Sequence, residues 1–141
     1  GETARVALVE WGREAESGAG AVGLLQLMRG TARETADRWG IPAGPLRRAD
    51  RNVPLGAGHL ADLLAEEGRH LPATLAAYNA GATKCAEWVE RFEDIDLFIE
   101  RIGWWETRAY VRHVLDAAWK YREAYSSDSA GSRPDTEAGG E

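Results

Sequence analysis

The chain has 141 residues, 44% of them hydrophobic and 28% charged, an ordinary globular balance that suits one domain. A formal net charge of −6 argues against a nucleic-acid ligand, whose binders display a basic patch, and the lone Cys85 excludes an intramolecular disulfide. No apolar run approaches the ~20 residues of a membrane span and no signal peptide opens the chain, whose start without methionine, Gly1-Glu2-Thr3, reads as a cut from something longer.

Every strongly periodic segment reads as helix, so the expected class is all-α. Gly20 and Gly23 permit tight backbone turns ahead of Gln26. Thr31-Ala-Arg-Glu34 fits a capping box, which predicts a helix starting there and stopping at Gly40 before Ile41-Pro42. Asn52, with Pro54 just inside, reads as the opening of the next helix, which runs to Gly68 with Leu60, Leu63 and Leu64 on its apolar side. A shorter helix begins near Pro72 and ends at the Asn79-Ala80-Gly81 turn, where the Asn79 side chain is expected to serve the turn.

Beyond that turn, Cys85, Trp88, Val89 and Phe92 recur at three and four residues, one helical stripe in which Cys85 is a buried small hydrophobe. Asp94 is placed to cap a segment carrying Ile95, Phe98, Ile99 and Ile102. The last and clearest helix, 105–125, sets Val111, Val114, Leu115, Ala118, Trp119 and Arg122 on one side. Residues 126–141 are rich in Ser, Gly, Asp and Glu, hold half of the net charge and no aromatic residue, and are expected to be a disordered acidic tail. The division expected is therefore a helical domain over 1–125, its N-terminal part truncated or altered, and a tail over 126–141.

Four segments carry chemistry. They are Gly20-Ala-Val-Gly-Leu-Leu-Gln26-Leu-Met28, Asn52-Val-Pro-Leu-Gly56-Ala-Gly-His-Leu60, Ala76-Ala-Tyr78-Asn79-Ala-Gly81 and Glu106-Thr107-Arg108-Ala-Tyr110-Val111. In that order and spacing they resemble the soluble type of lytic transglycosylase domain, whose pattern reads GAxGLMQLMP, NIxLGxxYL, AAYNAG and ETRxYVxxVL. The resemblance extends over residues 15–125. It implies a lysozyme-like helical fold with a groove for a glycan chain. It also implies cleavage of the β-1,4 bond between N-acetylmuramic acid and N-acetylglucosamine in peptidoglycan. In the family one glutamate protonates the leaving oxygen and then takes a proton from the sugar's own 6-hydroxyl, leaving a 1,6-anhydromuramic end. The substrate's N-acetyl group acts as internal nucleophile, the exception to the two-carboxylate scheme. Such an acid needs a raised pKa, which a desolvated pocket supplies.

The residue types fit that implication. Gln26 presents amide donors and acceptors to sugar hydroxyls; its alternative role is a buried amide tying loops together. Met28 reads as groove floor or core. Tyr78 offers a ring face and a hydroxyl, and Tyr110 stands with it as a lining residue. Glu106 is either a groove carboxylate or a helix-start charge favoured by the macrodipole, beside a surface Arg108. Trp104 and Trp105 are stacking platforms or core, and Gly103 stands where the family has proline. The implied substrate-binding set is Gln26, Met28, Tyr78, Asn79, Glu106 and Tyr110.

The catalytic glutamate departs from the pattern. The family carries it in a Glu-Ser pair twelve residues before the first glycine, and counting back twelve from Gly20 reaches Leu8. Glu10 is the nearest acid, following Val6-Ala7-Leu8-Val9 as the family's glutamate follows an apolar helix end, and taking it as catalytic requires a loop two residues shorter and Trp11 in place of serine. Glu16-Ser17 spells the dipeptide but lies four residues from Gly20 and matches the family's downstream Ala-x-Ser-x-x-Gly. Three readings stay open: an active transglycosylase using Glu10, a glycan-binding domain lacking a working acid, and a lysozyme-type hydrolase on the same fold. His59, His70 and His113 are scattered, without metal-ligand spacing, so no metal is expected, and proton transfer with an internal hydroxyl calls for no cofactor. The implied partner is the peptidoglycan glycan strand, met by a monomer or by part of a longer chain in the periplasm or outside the cell.

Overall fold

Helices form where the apolar spacing predicts them, but two begin earlier than their cap signals. The structure, a computed structural model, describes residues 16–42, 44–68, 70–89 and 95–129. Among these lie α1 (Arg29–Trp39), α2 (Ala49–Glu66), α3 (Leu71–Ala80), α4 (Ala82–Val89), α5 (Ile95–Arg101) and α6 (Trp105–Ser129). There is no strand among the described residues, only the isolated antiparallel bridges Glu16–Val22 and Val22–Leu27. By backbone contacts the chain divides into the units Gly1–Thr74 and Leu75–Glu141.

In the first unit α1 packs on α2. Thr31 does not cap α1. The helix begins two residues before it, with Met28 at the N-cap making no side-chain bond, so Thr31 already sits inside the first turn. Gly40 stops the helix as expected, in the left-handed region at φ 62, and both its N–H and that of Ile41 bond to the Ala36 carbonyl. The buried face of α1 is small, Ala32, Thr35 and Ala36, and it meets a small residue of α2. A Cβ at Gly58 would stand 3.0 Å from the Thr35 methyl and 3.4 Å from the Trp39 ring, so glycine sets how closely the helices approach. The Trp39 indole N–H donates to Asp62 at 3.1 Å across the same pair.

Asn52 is likewise not a cap. α2 opens at Ala49 behind Arg48, whose guanidinium bonds the Asp50 carboxylate and holds it below the usual range. Asn52 therefore lies one turn inside, fully buried. Leu55 and Leu63 bury beside it, each stabilising by about 1.5–3 kcal/mol. His70 caps α3: its ring Nδ1 accepts the Ala73 N–H at 3.1 Å, and its carbonyl accepts the Thr74 hydroxyl at 3.0 Å.

In the second unit α5 packs on α4 and on α6, and Leu75, Ala76, Ala77, Cys85, Phe98, Ile102, Thr107 and Val111 are buried. Cys85 is fully buried, as the stripe predicts; Val89 of the same stripe is exposed, and Phe92 and Asp94 lie outside the described residues. Arg108 is more than a surface charge, because it donates to the Glu100 carbonyl at 3.1 Å in the last turn of α5. The far half of α6 differs from expectation. Ala118, Trp119 and Arg122 are exposed rather than packed, with Trp119 at 56%, and the helix continues four residues past 125. Its aromatic residues pair along the helix instead: Arg122 lies over Trp119 at 4.7 Å, and Tyr121 stacks on Tyr125 at 6.4 Å.

Candidate functional site

Residues 17–28 form two consecutive turns. Ser17 closes the first, its hydroxyl accepting the Ala21 N–H at 3.0 Å while its carbonyl accepts from Gly20. Val22 and Leu27 then exchange backbone bonds of 2.9 and 3.0 Å, making a hairpin whose loop is Gly23-Leu24-Leu25-Gln26. Gln26 closes it in the left-handed region, at φ 48, the one described residue other than glycine with positive φ. A residue with a Cβ in that region is strained, by about 1–3 kcal/mol, and persists only where its surroundings impose it.

The surroundings are two residues of α2, one turn apart. The Asn52 amide enters the hairpin: Oδ1 accepts the Leu25 N–H at 2.7 Å, and Nδ2 donates to the Val22 carbonyl at 2.9 Å. Gly23 is glycine for lack of room as well as for its φ of 80, since a Cβ there would fall 2.4 Å from Asn52 Nδ2 and 2.3 Å from the Leu46 carbonyl. Gly56 leaves space for Leu25, whose Cδ1 would lie 2.3 Å from an added Cβ. The second sequence motif is thus the clasp of the first. It holds Leu27 in the core and leaves Gln26 and Met28 exposed, Met28 at 47%. Gln26 is not the buried loop tie; its amide donates within the hairpin to the Gly23 carbonyl at 2.8 Å, and Asn52 does the tying.

The third and fourth motifs meet in the same way within the second unit. Buried Thr107 donates its hydroxyl to Asn79 Oδ1 at 2.8 Å, joining the end of α3 to the start of α6. Asn79 therefore does not serve its own turn. Gly81 makes that turn, at φ 91, with its N–H on the Ala77 carbonyl. Asn79 and Glu106 share a cleft of about 350 Å³ with Gly103, Trp104, Trp105 and Thr107. Both indoles stand open, Trp104 at 49% and Trp105 at 75% exposure, so neither is core. Trp104 is braced edge-on by Trp88 at 5.8 Å, and Gly103 lets that contact form, since a Cβ there would lie 3.2 Å from the Trp88 Nε1. An amide, a carboxylate and a hydroxyl beside flat apolar rings are the groups that bind a polyhydroxylated, flat-faced ligand.

Tyr78 and Tyr110, both half-buried, lie close enough to influence each other. Burial pushes the Tyr78 phenol up to about 12, with a further push from Tyr110, whose own phenol burial also raises. Both therefore stay protonated, as hydrogen-bond donors, at neutral pH. Glu10 and Trp11 lie outside the described residues. Glu16, the other candidate acid, is exposed and ion-paired to Arg47 and, at 3.6 Å, to Arg29, a surface pairing rather than an apolar pocket. Among the described residues no cluster of three His, Cys, Asp or Glu is arranged to hold a metal. Sequence reasoning overlooked Asn52, Gly56 and Thr107 as the residues that position the others. Their signal was the i, i+4 spacing of Asn52 and Gly56 and the place of Thr107 beside Glu106.

The sequence pattern described as the Transglycosylase SLT domain matches residues 6–96. The soluble lytic murein transglycosylase of Salmonella typhimurium is 34% identical over 132 residues, covering 84% of this chain and 20% of that protein. The Escherichia coli protein of the same description is 34% identical over 120 residues, covering 79% and 19% respectively. Among solved structures, an inactive mutant of the lytic transglycosylase Slt from Pseudomonas aeruginosa matches with TM-score 0.75 at 35% identity, over 84% of this chain and 21% of that one. A complex of the 70-kDa soluble lytic transglycosylase with bulgecin A matches with TM-score 0.71 at 31% identity, over 87% and 22%. The expected all-α, lysozyme-like class stands on that likeness. The chain spans about a fifth of the length of the curated relatives it matches.

Proposed function

Because the chain belongs to the family of transglycosylase SLT domains, we propose that it cleaves peptidoglycan between N-acetylmuramic acid and N-acetylglucosamine and closes the cut end as 1,6-anhydromuramic acid. Glu10 is the acid and base of both steps. It protonates the glycosidic oxygen as the N-acetyl oxygen attacks the anomeric carbon, then takes the proton of the 6-hydroxyl as that oxygen displaces the N-acetyl group. No water is consumed and no cofactor enters. Gln26, Met28, Tyr78, Asn79, Glu106 and Tyr110 line the glycan site, with Tyr78 and Tyr110 donating from protonated phenols. The working domain is 1–125, acting as a monomer or as part of a longer chain, in the periplasm or outside the cell.

The observation that carries this reading is the pairwise interlock of the four motifs. Asn52 and Gly56 of the second hold the hairpin of the first, and Thr107 of the fourth holds Asn79 of the third. Asn52, Gly56, Thr107 and Asn79, each a residue of the four motifs, make these contacts, and that supports the resemblance. The ion pairs of Glu16 support Glu10 as the acid. No helix among the described residues is long and apolar enough to cross a membrane, in keeping with a partner outside the bilayer. A second reading, a glycan-binding domain without turnover, draws on the replacement of the Glu-Ser pair by Glu10-Trp11. Mass spectrometry of sacculi incubated with the chain separates the readings: 1,6-anhydromuramic ends mean transglycosylation, and reducing ends mean hydrolysis. Co-sedimentation with neither product means binding alone.

A further inference from the structure

Two residues of α4 touch the Trp104 ring, and neither belongs to the glycan-lining set proposed above. Lys84 and Trp88 stand one turn apart, on one face of the helix. Trp88 meets Trp104 edge-on, with ring centres 5.8 Å apart and planes inclined by 77°. The Lys84 ammonium lies 5.7 Å from the centre of the same ring, within the ~6 Å reach of a cation–π contact, and is itself held by Glu87. Both approach Trp104 from α4. The rest of the ring, 49% exposed, is left to the cleft that it shares with Asn79 and Glu106. Gly103 admits the arrangement, since a Cβ there would stand 3.2 Å from Trp88 Nε1, and the proline that the family pattern carries in its place would bring one.

An exposed indole without such supports samples several rotamers, and a ligand that stacks on it must fix them. A ring held beforehand removes that entropy loss from binding. The polar groups of the cleft are set in a matching way. Asn79 Oδ1 already accepts the Thr107 hydroxyl, so the amide has its Nδ2 donor to offer, while Glu106 offers an acceptor. A donor and an acceptor beside a flat apolar plate suit a pyranose, whose C–H face stacks while its equatorial groups reach sideways. We infer that Trp104 is a stacking platform for one sugar ring of the glycan, and that Trp88 and Lys84 are the positioning residues that hold it in its stacking pose. The sugar rests on the function proposed above; the bracing rests on the ring geometry alone. The platform acts on affinity and moves no proton, so it stands apart from the role of Glu10.

The test is a double-mutant cycle on chitotetraose affinity, measured by titration calorimetry of the full chain, with circular dichroism of every variant. Trp104→Ala is expected to weaken binding roughly tenfold. In the parent background Trp88→Leu should weaken it about fivefold and Lys84→Met about twofold. In the Trp104→Ala background neither should change the affinity further, because both act through that ring. A general loss of structure would instead weaken both backgrounds alike. The exciton band of the coupled indoles should vanish in Trp104→Ala and in Trp88→Leu and persist in Lys84→Met. Should Trp88→Leu fail to fold, Lys84→Met carries the same test, since it removes only a partly exposed charge. Unchanged affinity in Trp104→Ala overturns the platform. Equal losses in both backgrounds, or no loss from either α4 substitution, overturn the positioning role. A parent that does not bind chitotetraose overturns the glycan reading and the platform with it, whereas a parent that binds while its Trp104→Ala variant binds as tightly overturns the platform alone.

Discussion

Removing the Asn52 amide should loosen the hairpin that presents Gln26, and the structure sets the size of the effect. Asn52→Ala takes from the Leu25 N–H its 2.7 Å bond to the buried amide, and from the Val22 carbonyl its 2.9 Å bond, while that carbonyl keeps the Leu27 N–H. The loss at Leu25 costs about 1–3 kcal/mol and the loss of a second bond at Val22 about 0.5–1.5 kcal/mol, roughly 1.5–4.5 kcal/mol together. Water entering the vacated space offsets part of this, which leaves about 2 kcal/mol, a large share of the 5–15 kcal/mol that typically holds a domain together. Urea unfolding measures it directly, and the melting temperature should fall by about 6–10 °C, at roughly 3–5 °C per kcal/mol for a chain of this size. Asn52→Asp is the discriminating companion. It keeps the shape and the acceptor for Leu25 but turns an acceptor toward the Val22 carbonyl, and should cost at least as much as alanine. With the clasp gone, Gln26 relaxes from its positive φ and the glycan affinity should drop about tenfold, a loss of roughly 1.4 kcal/mol. Aspartate or alanine variants within about 0.5 kcal/mol of the parent, the scatter expected of ordinary surface substitutions, would refute the reasoning.

Gly56→Ala should destabilise by about 1–3 kcal/mol, because the new Cβ would stand 2.8 Å from the Leu25 Cβ, which cannot swing away as a side-chain tip can; chemical denaturation checks it. Thr107→Val keeps the shape but removes the donor to Asn79, and should cost about 1 kcal/mol in the same assay while freeing the Asn79 amide in the cleft. Tyrosinate absorbance on raising the pH should show Tyr78 ionising near 12 rather than 10, with Tyr110 also late. Because both folded values lie above the unfolded ones, their contribution is complete below pH 10 and is lost as the pH rises through the folded values. His59 has the opposite sign: burial lowers its folded pKa, against the pull of Asp62, Glu66 and Glu34, so its contribution is present above 6.5 and is lost as the pH falls through the folded value. Melting temperatures between pH 7.5 and 5 should therefore decline less in His59→Gln than in the parent.

The helical class, the stop at Gly40 and the burial of Cys85 were legible because each depends on local spacing or on a single backbone requirement. Asn52 shows the limit of such reading. An asparagine two residues before a proline carries the signature of a helix start, and nothing nearby in the sequence says that its partners are Val22 and Leu25, some thirty residues away. Thr31 misleads for the same reason, since a capping box is scored on four residues while the true start at Arg29 follows from the hairpin before it. The aromatic pattern of α6 was real, but a stripe at helical spacing does not say whether it faces a core, and Trp119 turned out to pair with Arg122 on the helix surface. For the candidate site, residue types were legible and contacts were not. Tyr78, Asn79, Glu106 and Tyr110 stand out by composition, whereas the bond from Thr107 to Asn79 exists only once α3 and α6 have met.

The most direct test of an active transglycosylase that works through Glu10 is the release of 1,6-anhydromuropeptides from purified sacculi by the parent chain and by Glu10→Gln, measured side by side. A lost general acid typically costs 10²–10⁴-fold, so the variant should release at least about a hundredfold less while still binding chitooligosaccharide. Equal release by both would remove Glu10 from the mechanism, and no anhydro product from the parent, with binding intact, would make the chain a glycan-binding domain rather than an enzyme.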